Sequence, residues 1–297
     1  MKLKNSFHPY AMVTILFWSL AYVFTRLTLK SFSPFSLGFL RYFIASCTLF
    51  FVAVFLKLKP PHTKDLPWFL AAGCMGFFLY MIAFNQGQAV VTAATGSIVI
   101  ATVPVITALL ARFVYHEQLN GMQWVAMLLE FFGVAVLTLM NHTVSLNRGV
   151  LWLLLAALAL SVYNLLQRKL TQTYTALQTS TYSIFFGTLL LSVFAPTGMD
   201  KLSQAPSIHI LYLVILGVCS SAIAYVSWAK AFSKAPKTSQ VSNYMFVTPF
   251  LTSILGFLLG GEIPDLATFL GGCIIMLGVL MFHLGGHTDA KKRTSSK

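Results

Sequence analysis

Two charged side chains, those of Arg41 and Glu130, lie well inside long apolar stretches of the sequence. An ionisable group in hydrocarbon costs several kcal/mol unless it faces water or a partner, so such residues usually mark a functional site. Arg41 lies about seven residues into its apolar stretch, or about 10 Å along a helix, and its long side chain can still reach the membrane surface. We therefore predict a structural or gating role for Arg41, with direct substrate contact as the alternative.

Glu130 lies about halfway along its own apolar stretch, too deep for so short a side chain to reach the surface. Two hypotheses account for a carboxyl group at this depth. It is either a protonated group hydrogen-bonded to a neighbouring helix, or a coupling group that takes up and releases a proton during transport. The second hypothesis makes protons a candidate coupling ion, and the sequence leaves both open.

A set of aromatic and amide side chains also falls within the apolar stretches. Buried amides need hydrogen-bond partners, and aromatic rings offer apolar surface, so together they suit the wall of a cavity for a zwitterion or a modest organic solute. A sugar phosphate would require several cations instead. Interfacial anchoring or simple packing is the alternative for each residue. The candidates for substrate binding are Trp18, Tyr22, Tyr80, Asn85, Tyr163, Asn164, Gln167, Tyr225, Trp228, Asn243 and Tyr244.

Two prolines lie within the apolar stretches, and two glutamates lie at their ends. Pro104 and Pro249 lie within apolar runs, where proline removes a backbone hydrogen bond and is predicted to bend the helix. A packing kink is the default interpretation, and a hinge is the stronger hypothesis. Glu117 and Glu262 lie at the ends of apolar runs, so we expect them to cap helices or order loops.

The elements that carry these residues are predicted from composition and run length. The chain has 297 residues, of which 57% are hydrophobic and 9% are charged, as is typical of a polytopic membrane protein. A bilayer core requires about 20 apolar residues per helix. Ten such windows predict an all-α integral membrane fold with ten transmembrane helices. The windows are 9–29, 34–56, 66–86, 93–115, 121–140, 148–168, 177–196, 208–229, 238–260 and 265–285.

The distribution of basic residues predicts the orientation of these helices. With the N-terminus inside, only Arg26, Lys30, Arg148 and Lys201 of the 20 Lys and Arg residues fall on the outer side, and Arg41 falls within a span. All the others are cytoplasmic, so both termini are predicted to be cytoplasmic. Because the basic residues are scattered between apolar runs, they form no single face for nucleic acid.

An internal repeat underlies the pattern, because the stretch from Phe69 to Leu139 returns in altered form between Val214 and Leu284. Each half holds five windows, so the second half enters the membrane from the opposite side and the two form an inverted repeat. The predicted domains are 1–142 and 143–286, followed by a basic cytoplasmic tail at 287–297. Residue pairs 145 positions apart are Tyr80 and Tyr225, Pro104 and Pro249, Glu117 and Glu262, and Gly133 and Gly278.

Short motifs mark both halves, and the order Pro, Glu, Gly occurs in each. The first half holds Arg41-Tyr42-Phe43, Thr102-Val103-Pro104-Val105, His116-Glu117-Gln118-Leu119 and Gly133-Val134. The second half repeats the order with Thr248-Pro249-Phe250, Gly261-Glu262-Ile263-Pro264 and Gly278-Val279. Over nearly the whole chain this order resembles the EamA family of the drug/metabolite transporter superfamily. The resemblance implies a ten-helix exporter-like fold with a central cavity lined mainly by the first, third, fourth, sixth, eighth and ninth helices. It leaves the substrate open.

The predicted function is secondary transport of amino acids or related small metabolites across the bacterial plasma membrane by alternating access, as an exporter or facilitator. The chain shows no paired carboxylates, phosphate-cradling loop or ATP-binding domain, so we expect no enzymatic activity, cofactor or metal. The expected partners are a small-molecule substrate and the lipid bilayer, with a monomer or a homodimer left open.

Two alternatives remain at this stage. A multidrug exporter of organic cations would need an accessible acid, and Glu130 is the only central one. A receptor or scaffold that moves no solute would use the same helices without a transport cycle. Measured counterflow of a solute separates both transport hypotheses from the third.

Overall fold

A computed structural model describes residues 6–91, 93–139, 148–260 and 266–295. These residues are helical almost throughout, and no β-strand occurs among them. A helix satisfies its backbone hydrogen bonds internally, as hydrocarbon requires. The helices up to Leu139 are α1 (His8–Thr28), α2 (Pro34–Phe55), α3 (Leu66–Gly73), α4 (Tyr80–Val90), α5 (Ala93–Ile100), α6 (Val103–Tyr115) and α7 (Gly121–Leu139).

The second part of the chain continues in the same way. Its helices are α8 (Arg148–Leu170), α9 (Ala176–Leu191), α10 (Ala195–Gln204), α11 (Ser207–Gly217), α12 (Ala224–Lys234), α13 (Thr238–Ser242), α14 (Val247–Gly260) and α15 (Leu266–Ser295).

Seven helical stretches of the described chain are long and apolar enough to cross a membrane. This confirms the all-helical membrane architecture. Each of the ten predicted windows is mostly helical over its described residues, but the count of ten spans stays a prediction. The seven stretches are His8–Thr28, Pro34–Phe55, Thr63–Val90, Arg148–Leu170, Ala176–Gln204, Ser207–Lys234 and Thr238–Leu259.

Local sequence signals set several helix boundaries. The Ser33 hydroxyl caps α2 by accepting a hydrogen bond from the Ser36 amide at 3.1 Å, with Pro34 in the first turn. Thr175 and Gln178 form a reciprocal capping box at the start of α9. These caps satisfy amide groups that have no partner inside their own helices.

Two π-helical segments interrupt the long helices at corresponding positions. Cys74–Leu79 joins α3 to α4, and Val218–Ile223 joins α11 to α12. Cys74 and Cys219 belong to the repeat, so each π-helical segment falls on the same part of its half. Such turns are rare and occur frequently at functional sites.

The two central prolines lie at helix starts, which differs from the predicted bends in continuous helices. α5 ends at Ile100 and α6 begins at Val103, so Pro104 lies in the first turn of a new helix. A 3₁₀ turn, Asn243–Phe246, separates α13 from α14, and Pro249 lies in the first turn of α14. A proline in a first turn costs no helical hydrogen bond, which explains why the chain breaks before it.

The carbonyl groups just before these prolines receive matching hydrogen bonds. The Ser19 hydroxyl donates to the Thr248 carbonyl at 3.5 Å, and the Ser161 hydroxyl donates to the Val103 carbonyl at 3.3 Å. Ser19 lies on α1 and Ser161 on α8, the first helix of each predicted half. Each of these helices therefore supports the proline break of the other half.

A close backbone approach fixes the crossing of α3 and α9. A Cβ atom added at Gly73 would lie 2.7 Å from the Phe186 Cβ, 2.8 Å from the Gly187 nitrogen and 2.9 Å from the Ser183 oxygen. Membrane helices gain stability from such contacts because small residues let their backbones approach.

Replacing Gly73 with alanine should therefore lower thermal stability. Overpacking against backbone atoms costs about 1–3 kcal/mol, which corresponds to a fall of roughly 3 °C or more in the melting temperature. The measurement is a thermal melt of the detergent-solubilised protein. Gly121→Ala is the matched control, because nothing lies within 4 Å of a Cβ added there. Equal melting temperatures for both variants would contradict the close crossing.

Candidate functional site

A small cavity, here called the central cavity, lies between α1, α2, α4, α5, α12 and the start of α14. Its free volume is only ≈ 10 Å³, about the space of one water molecule. Because this volume is so small, a solute larger than water requires the helices to separate. Its lining consists of Trp18, Ala21, Tyr22, Arg41, Tyr80, Phe84, Ile100, Tyr225, Met245 and Thr248.

Among the described residues of this lining, Arg41 is the only charged one, and it is 3% exposed. Its Nε donates a hydrogen bond to the Ser221 Oγ at 2.7 Å, and its Nη2 donates to the Ser220 carbonyl at 3.3 Å. Within the described part of the chain, its Nη1 has no hydrogen-bond partner and no carboxylate forms an ion pair with it. The guanidinium is thus held in place while its charge remains uncompensated.

The π-helical segment Val218–Ile223 positions this guanidinium. Both acceptors of Arg41, Ser220 and Ser221, belong to the segment. The Ser220 hydroxyl in turn donates to the Phe17 carbonyl of α1 at 2.8 Å. Arg41 is therefore linked through this segment to α1, which forms the opposite wall of the central cavity.

Five of the ten lining residues are aromatic. The ring of Phe84 lies 5.3 Å from that of Tyr22 and 5.5 Å from that of Tyr80, and the rings of Trp18 and Tyr225 are 5.1 Å apart. These separations lie within the range at which aromatic pairs attract each other. The wall therefore offers a preformed apolar surface beside the charge of Arg41.

Several polar atoms at this wall have no partner among the described residues. The Trp18 Nε1 and the Thr248 hydroxyl are buried and unpaired. The hydroxyl groups of Tyr22 and Tyr80 also make no hydrogen bond within the described chain. Buried polar groups in native proteins are nearly always paired, so these donors are suited to a ligand or an ordered water. Together with Arg41, they favour a ligand rich in acceptor oxygens.

Of the eleven residues predicted to bind substrate, four line the central cavity: Trp18, Tyr22, Tyr80 and Tyr225. Trp228 lies behind the wall, with its ring 5.0 Å from that of Trp18. Its Nε1 donates to the Asn164 Oδ1 at 2.9 Å. These two residues thus support the wall from outside the central cavity.

The other predicted residues lie elsewhere. Asn85 donates to the Pro34 carbonyl at 2.8 Å, and Gln167 donates to the Ser180 hydroxyl at 3.5 Å. Tyr163 is buried behind the central cavity. In this conformation, therefore, these three residues join neighbouring helices and are absent from the lining.

Tyr244 belongs to a cluster at the end of the bundle where α1 begins. The cluster, here called the aromatic plug, consists of Phe7, His8, Tyr244 and His283. The Tyr244 hydroxyl is hydrogen-bonded to the His8 ring. The Tyr244 and His283 rings are 5.2 Å apart, and the Phe7 and His283 rings are stacked at 6.3 Å. The aromatic plug closes the bundle at this end by joining α1, α15 and the 3₁₀ turn before α14.

Glu117 caps a helix, as its position at the end of an apolar run predicted. Its carboxylate accepts hydrogen bonds from the Thr238 amide at 2.7 Å, the Ser239 amide at 3.2 Å and the Ser239 hydroxyl at 3.1 Å. These amides open α13, so Glu117 supplies the acceptors that a helix start lacks. The contact joins the two predicted halves at the end of the bundle that holds the aromatic plug. Glu262, its predicted counterpart, lies outside the described residues.

Glu130 is fully buried between α7, α15 and the 3₁₀ turn that precedes α14. Its Oε1 accepts a hydrogen bond from the Asn243 Nδ2 at 3.0 Å, and its Oε2 has no partner among the described residues. Gly278 of α15 packs directly against its side chain. Glu130 is thus hydrogen-bonded to a neighbouring helical element but does not line the central cavity.

Five residues of the central cavity lining were not predicted from the sequence to belong to the site. Phe84 shares a helix face with Tyr80, four residues earlier, so its position could have been found from spacing. Thr248 directly precedes Pro249, where a chain break exposes polar groups. The small or apolar residues Ala21, Ile100 and Met245 carry no signal that separates a cavity wall from lipid-facing packing.

Comparisons with known proteins agree with this architecture. Residues 6–139 and 147–284 each match the sequence pattern of the EamA-like transporter family. The uncharacterized transporter YdfC of Bacillus subtilis is 30% identical over 90% of this chain and 87% of its own length. A solved crystal structure matches with a TM-score of 0.73 over 93% of this chain and 95% of the other, at 19% identity. At that identity the match shows the fold alone.

Two further relatives have names that state a substrate. A probable terminal-alkyne amino-acid exporter of Streptantibioticus cattleyicolor is 27% identical over 96% of this chain and 95% of its own length. An S-adenosylmethionine uptake transporter of Rickettsia prowazekii is 27% identical over 89% of this chain and 86% of its own length. The relatives are therefore named as transporters that work in opposite directions.

Proposed function

We infer that this chain, which belongs to the EamA-like transporter family, is a secondary transporter of amino acids or related small carboxylates, acting as an exporter or facilitator. Family membership and the apolar helices make it a multi-pass protein of the plasma membrane. The substrate, the direction and the cycle described below are our proposal.

The uncompensated charge of Arg41 is the observation that carries the substrate class. A buried guanidinium without a carboxylate partner is costly, and a substrate carboxylate removes that cost on binding. Arg41 lines the central cavity, and its Nη1 has no hydrogen-bond partner among the described residues. The unpaired Trp18 Nε1 and the Tyr22 hydroxyl belong to the same lining and provide further donors. Charge-assisted hydrogen bonds of this kind are the strong ones.

The remaining wall suits the rest of an amino acid. Aromatic rings surround Arg41, so an apolar side chain gains from contact with Phe84 and Tyr225. A substrate ammonium group can face the same rings through cation–π attraction. The substrates that name two of the relatives both contain an α-amino acid group. That shared group is what Arg41 and the aromatic wall would recognise.

We propose that the cycle is alternating access between two inverted five-helix halves, 1–142 and 143–286, with ten transmembrane helices in all. Three pairs of features support the repeat: the π-helical segments, the prolines that open helices, and the hydrogen bonds from Ser19 and Ser161. The two members of each pair lie at corresponding positions of the two predicted halves. In such folds one half rocks against the other around a central site.

The conformation fits one state of that cycle. The aromatic plug and the Glu117 cap join the halves at the end where α1 begins, whereas a cavity of ≈ 470 Å³ opens where α1 finishes. With both termini cytoplasmic, as the basic residues predict, the open end faces the outside. Transport would then require the aromatic plug and the Glu117 contact to separate while the outer end closes.

Glu130 is the proposed coupling residue. It contacts Asn243 in the 3₁₀ turn, and Met245 of the same turn lines the central cavity. A change in the protonation of Glu130 would alter the Asn243 hydrogen bond and thereby the position of that turn. Pro104 and Pro249 open the helices beside the breaks, which makes them the proposed hinge positions.

The organic-cation alternative is less well supported. Among the described residues, no carboxylate lines the central cavity, the one charged residue of the lining is Arg41, and Glu130 lies outside it. A cation would therefore meet Arg41 without a compensating acid, whereas a substrate that carries a carboxylate would pair with it.

Solute counterflow in proteoliposomes tests the proposal. Vesicles loaded with one unlabelled solute should take up the same solute in labelled form. The rate of counterflow should be higher for neutral amino acids than for their amides, which lack the carboxylate. Uptake of organic cations alone would support the multidrug alternative. Absence of counterflow for amino acids, other metabolites and organic cations would support the receptor or scaffold hypothesis. Empty vesicles provide the control for leakage.

A further inference from the structure

A second cavity opens at the end of the bundle where α1 finishes, and we call it the vestibule. Its volume is ≈ 470 Å³. Helices α1, α4, α5 and α14 form its walls, with Val23, Ala89, Ala93 and Gly256 among the small and apolar contacts. Since α1 and α14 also line the central cavity, the vestibule lies directly on the path between that cavity and the outer face.

Two cations line the vestibule. Arg26 lies in the last turn of α1, and Lys30 lies in the turn that follows the end of this helix at Thr28. Among the described residues, the lining contains no carboxylate, and neither cation forms an ion pair or a hydrogen bond. The described part of the vestibule lining is therefore positively charged.

Unpaired polar groups lie deeper in the same space. Gln88 is 1% exposed and Thr252 is 2% exposed, and both line the vestibule. Neither amide atom of Gln88 nor the hydroxyl of Thr252 has a hydrogen-bond partner among the described residues. Because buried polar side-chain atoms are nearly always paired, these groups indicate a ligand that the vestibule accepts.

We infer that the vestibule is an anion-binding site, formed by Arg26, Lys30, Gln88 and Thr252. Two cations, an amide and a hydroxyl all offer donors to one oxygen-rich group, either a carboxylate or a phosphate. A transported solute and a lipid headgroup can both supply such a group. The inference rests on the proposed function only for the idea that the anion is a solute on its way to or from Arg41.

The vestibule and the central cavity share no lining residue, so the two sites can be tested separately. Val23 follows Tyr22 directly along α1, and Thr252 lies one turn beyond Thr248 on α14. An anion in the vestibule would therefore be adjacent to the central cavity but would not contact Arg41. Its binding is measurable in a protein that transports nothing.

Chemical modification of Arg26 provides the test. Phenylglyoxal is an uncharged reagent for guanidinium groups, and peptide mass spectrometry measures its rate of reaction at each arginine. Arg148 is the internal control, because it is exposed but absent from the lining. The rates are compared with and without acetate or inorganic phosphate in lipid-free detergent, in phosphatidylcholine vesicles, and in vesicles that contain phosphatidylglycerol.

We expect acetate or phosphate to protect Arg26 and to leave Arg148 unchanged. At roughly ten times the dissociation constant the site is about 90% occupied, so modification of Arg26 slows about tenfold. Protection in detergent and in phosphatidylcholine supports a solute as the ligand. Protection by phosphatidylglycerol alone would overturn the solute and identify a lipid headgroup. No protection in any preparation would overturn the anion site.

Three variants separate this inference from the proposed function. Gln88→Leu removes the buried amide and should abolish the protection of Arg26. Lys30→Gln changes an exposed residue and should weaken this protection, so it provides a test even if Gln88→Leu does not fold. Arg41→Gln should strongly reduce amino-acid transport but keep Arg26 protected. Loss of protection in Arg41→Gln would contradict a separate site. Protection of a wild-type protein that shows no counterflow would reject the proposed function alone.

Discussion

Replacing Arg41 with glutamine should reduce amino-acid transport by roughly 10- to 150-fold, since a hydrogen bond to a charged group contributes about 1.5–3 kcal/mol. The variant keeps a hydrogen-bonding side chain of similar reach but removes the charge that faces the central cavity. Ser220 and Ser221 would lose their charged partner, but no buried carboxylate would be left unpaired among the described residues.

Substrate pairs provide the sharpest measurement of this effect. In the wild type, counterflow of an amino acid should exceed that of its amide, because Arg41 recognises the carboxylate. In Arg41→Gln that preference should disappear, and the rate with the amide should change little. Arg41→Lys should give an intermediate result, since lysine keeps the charge but lacks the planar guanidinium that pairs with a carboxylate. An unchanged preference in Arg41→Gln would show that Arg41 only joins α2 to the π-helical segment Val218–Ile223.

Much of the fold was predictable from the lengths of the apolar runs and from the Pro, Gly and charged residues between them. The windows 34–56 and 93–115 correspond to Pro34–Phe55 and to α5 with α6. Apolar runs must be helical in hydrocarbon, so their lengths and flanking Pro, Gly or charged residues define them. The breaks were harder to predict. Nothing before Pro104 distinguishes a bent helix from two helices, because the outcome depends on whether another helix supports the freed carbonyl.

The candidate site was predictable only in part. Trp18 and Tyr22 are four residues apart, and both line the central cavity as their shared face suggests. Tyr225 and Trp228 are three apart, yet only Tyr225 reaches the lining. A helix that is apolar all round does not reveal which face meets lipid, a neighbouring helix or a cavity. Only the packed structure decides between these environments.

Arg41 and Glu130 show what the depth of a charged residue in an apolar run can and cannot predict. Depth in an apolar run identified both as costly charges. The structure places Arg41 in the central cavity lining, although gating or a structural role was the first expectation. It places Glu130 beside the lining, hydrogen-bonded to Asn243. Sequence depth thus predicted that each residue needs a partner, but it did not predict which partner.

Replacing Glu130 with glutamine should abolish accumulation driven by a pH gradient while leaving solute exchange intact. Glutamine preserves the shape of the side chain and can still accept a hydrogen bond from the Asn243 Nδ2, so the contact at 3.0 Å can persist. It cannot take up or release a proton. If one proton moves with each solute, a gradient of one pH unit supports about tenfold accumulation in the wild type, and the variant should show none.

The decisive comparison is between gradient-driven uptake and counterflow in the same vesicles. Asp200→Asn is the matched control, because Asp200 is an exposed carboxylate on α10, away from both the central cavity and the contacts that close the bundle. That variant should still respond to the pH gradient. If Glu130→Gln also accumulates solute in response to the gradient, Glu130 is a structural hydrogen-bond partner. Loss of exchange together with accumulation would instead mean that the carboxylate is required to hold the 3₁₀ turn before α14, which would reject its role as a separable coupling group.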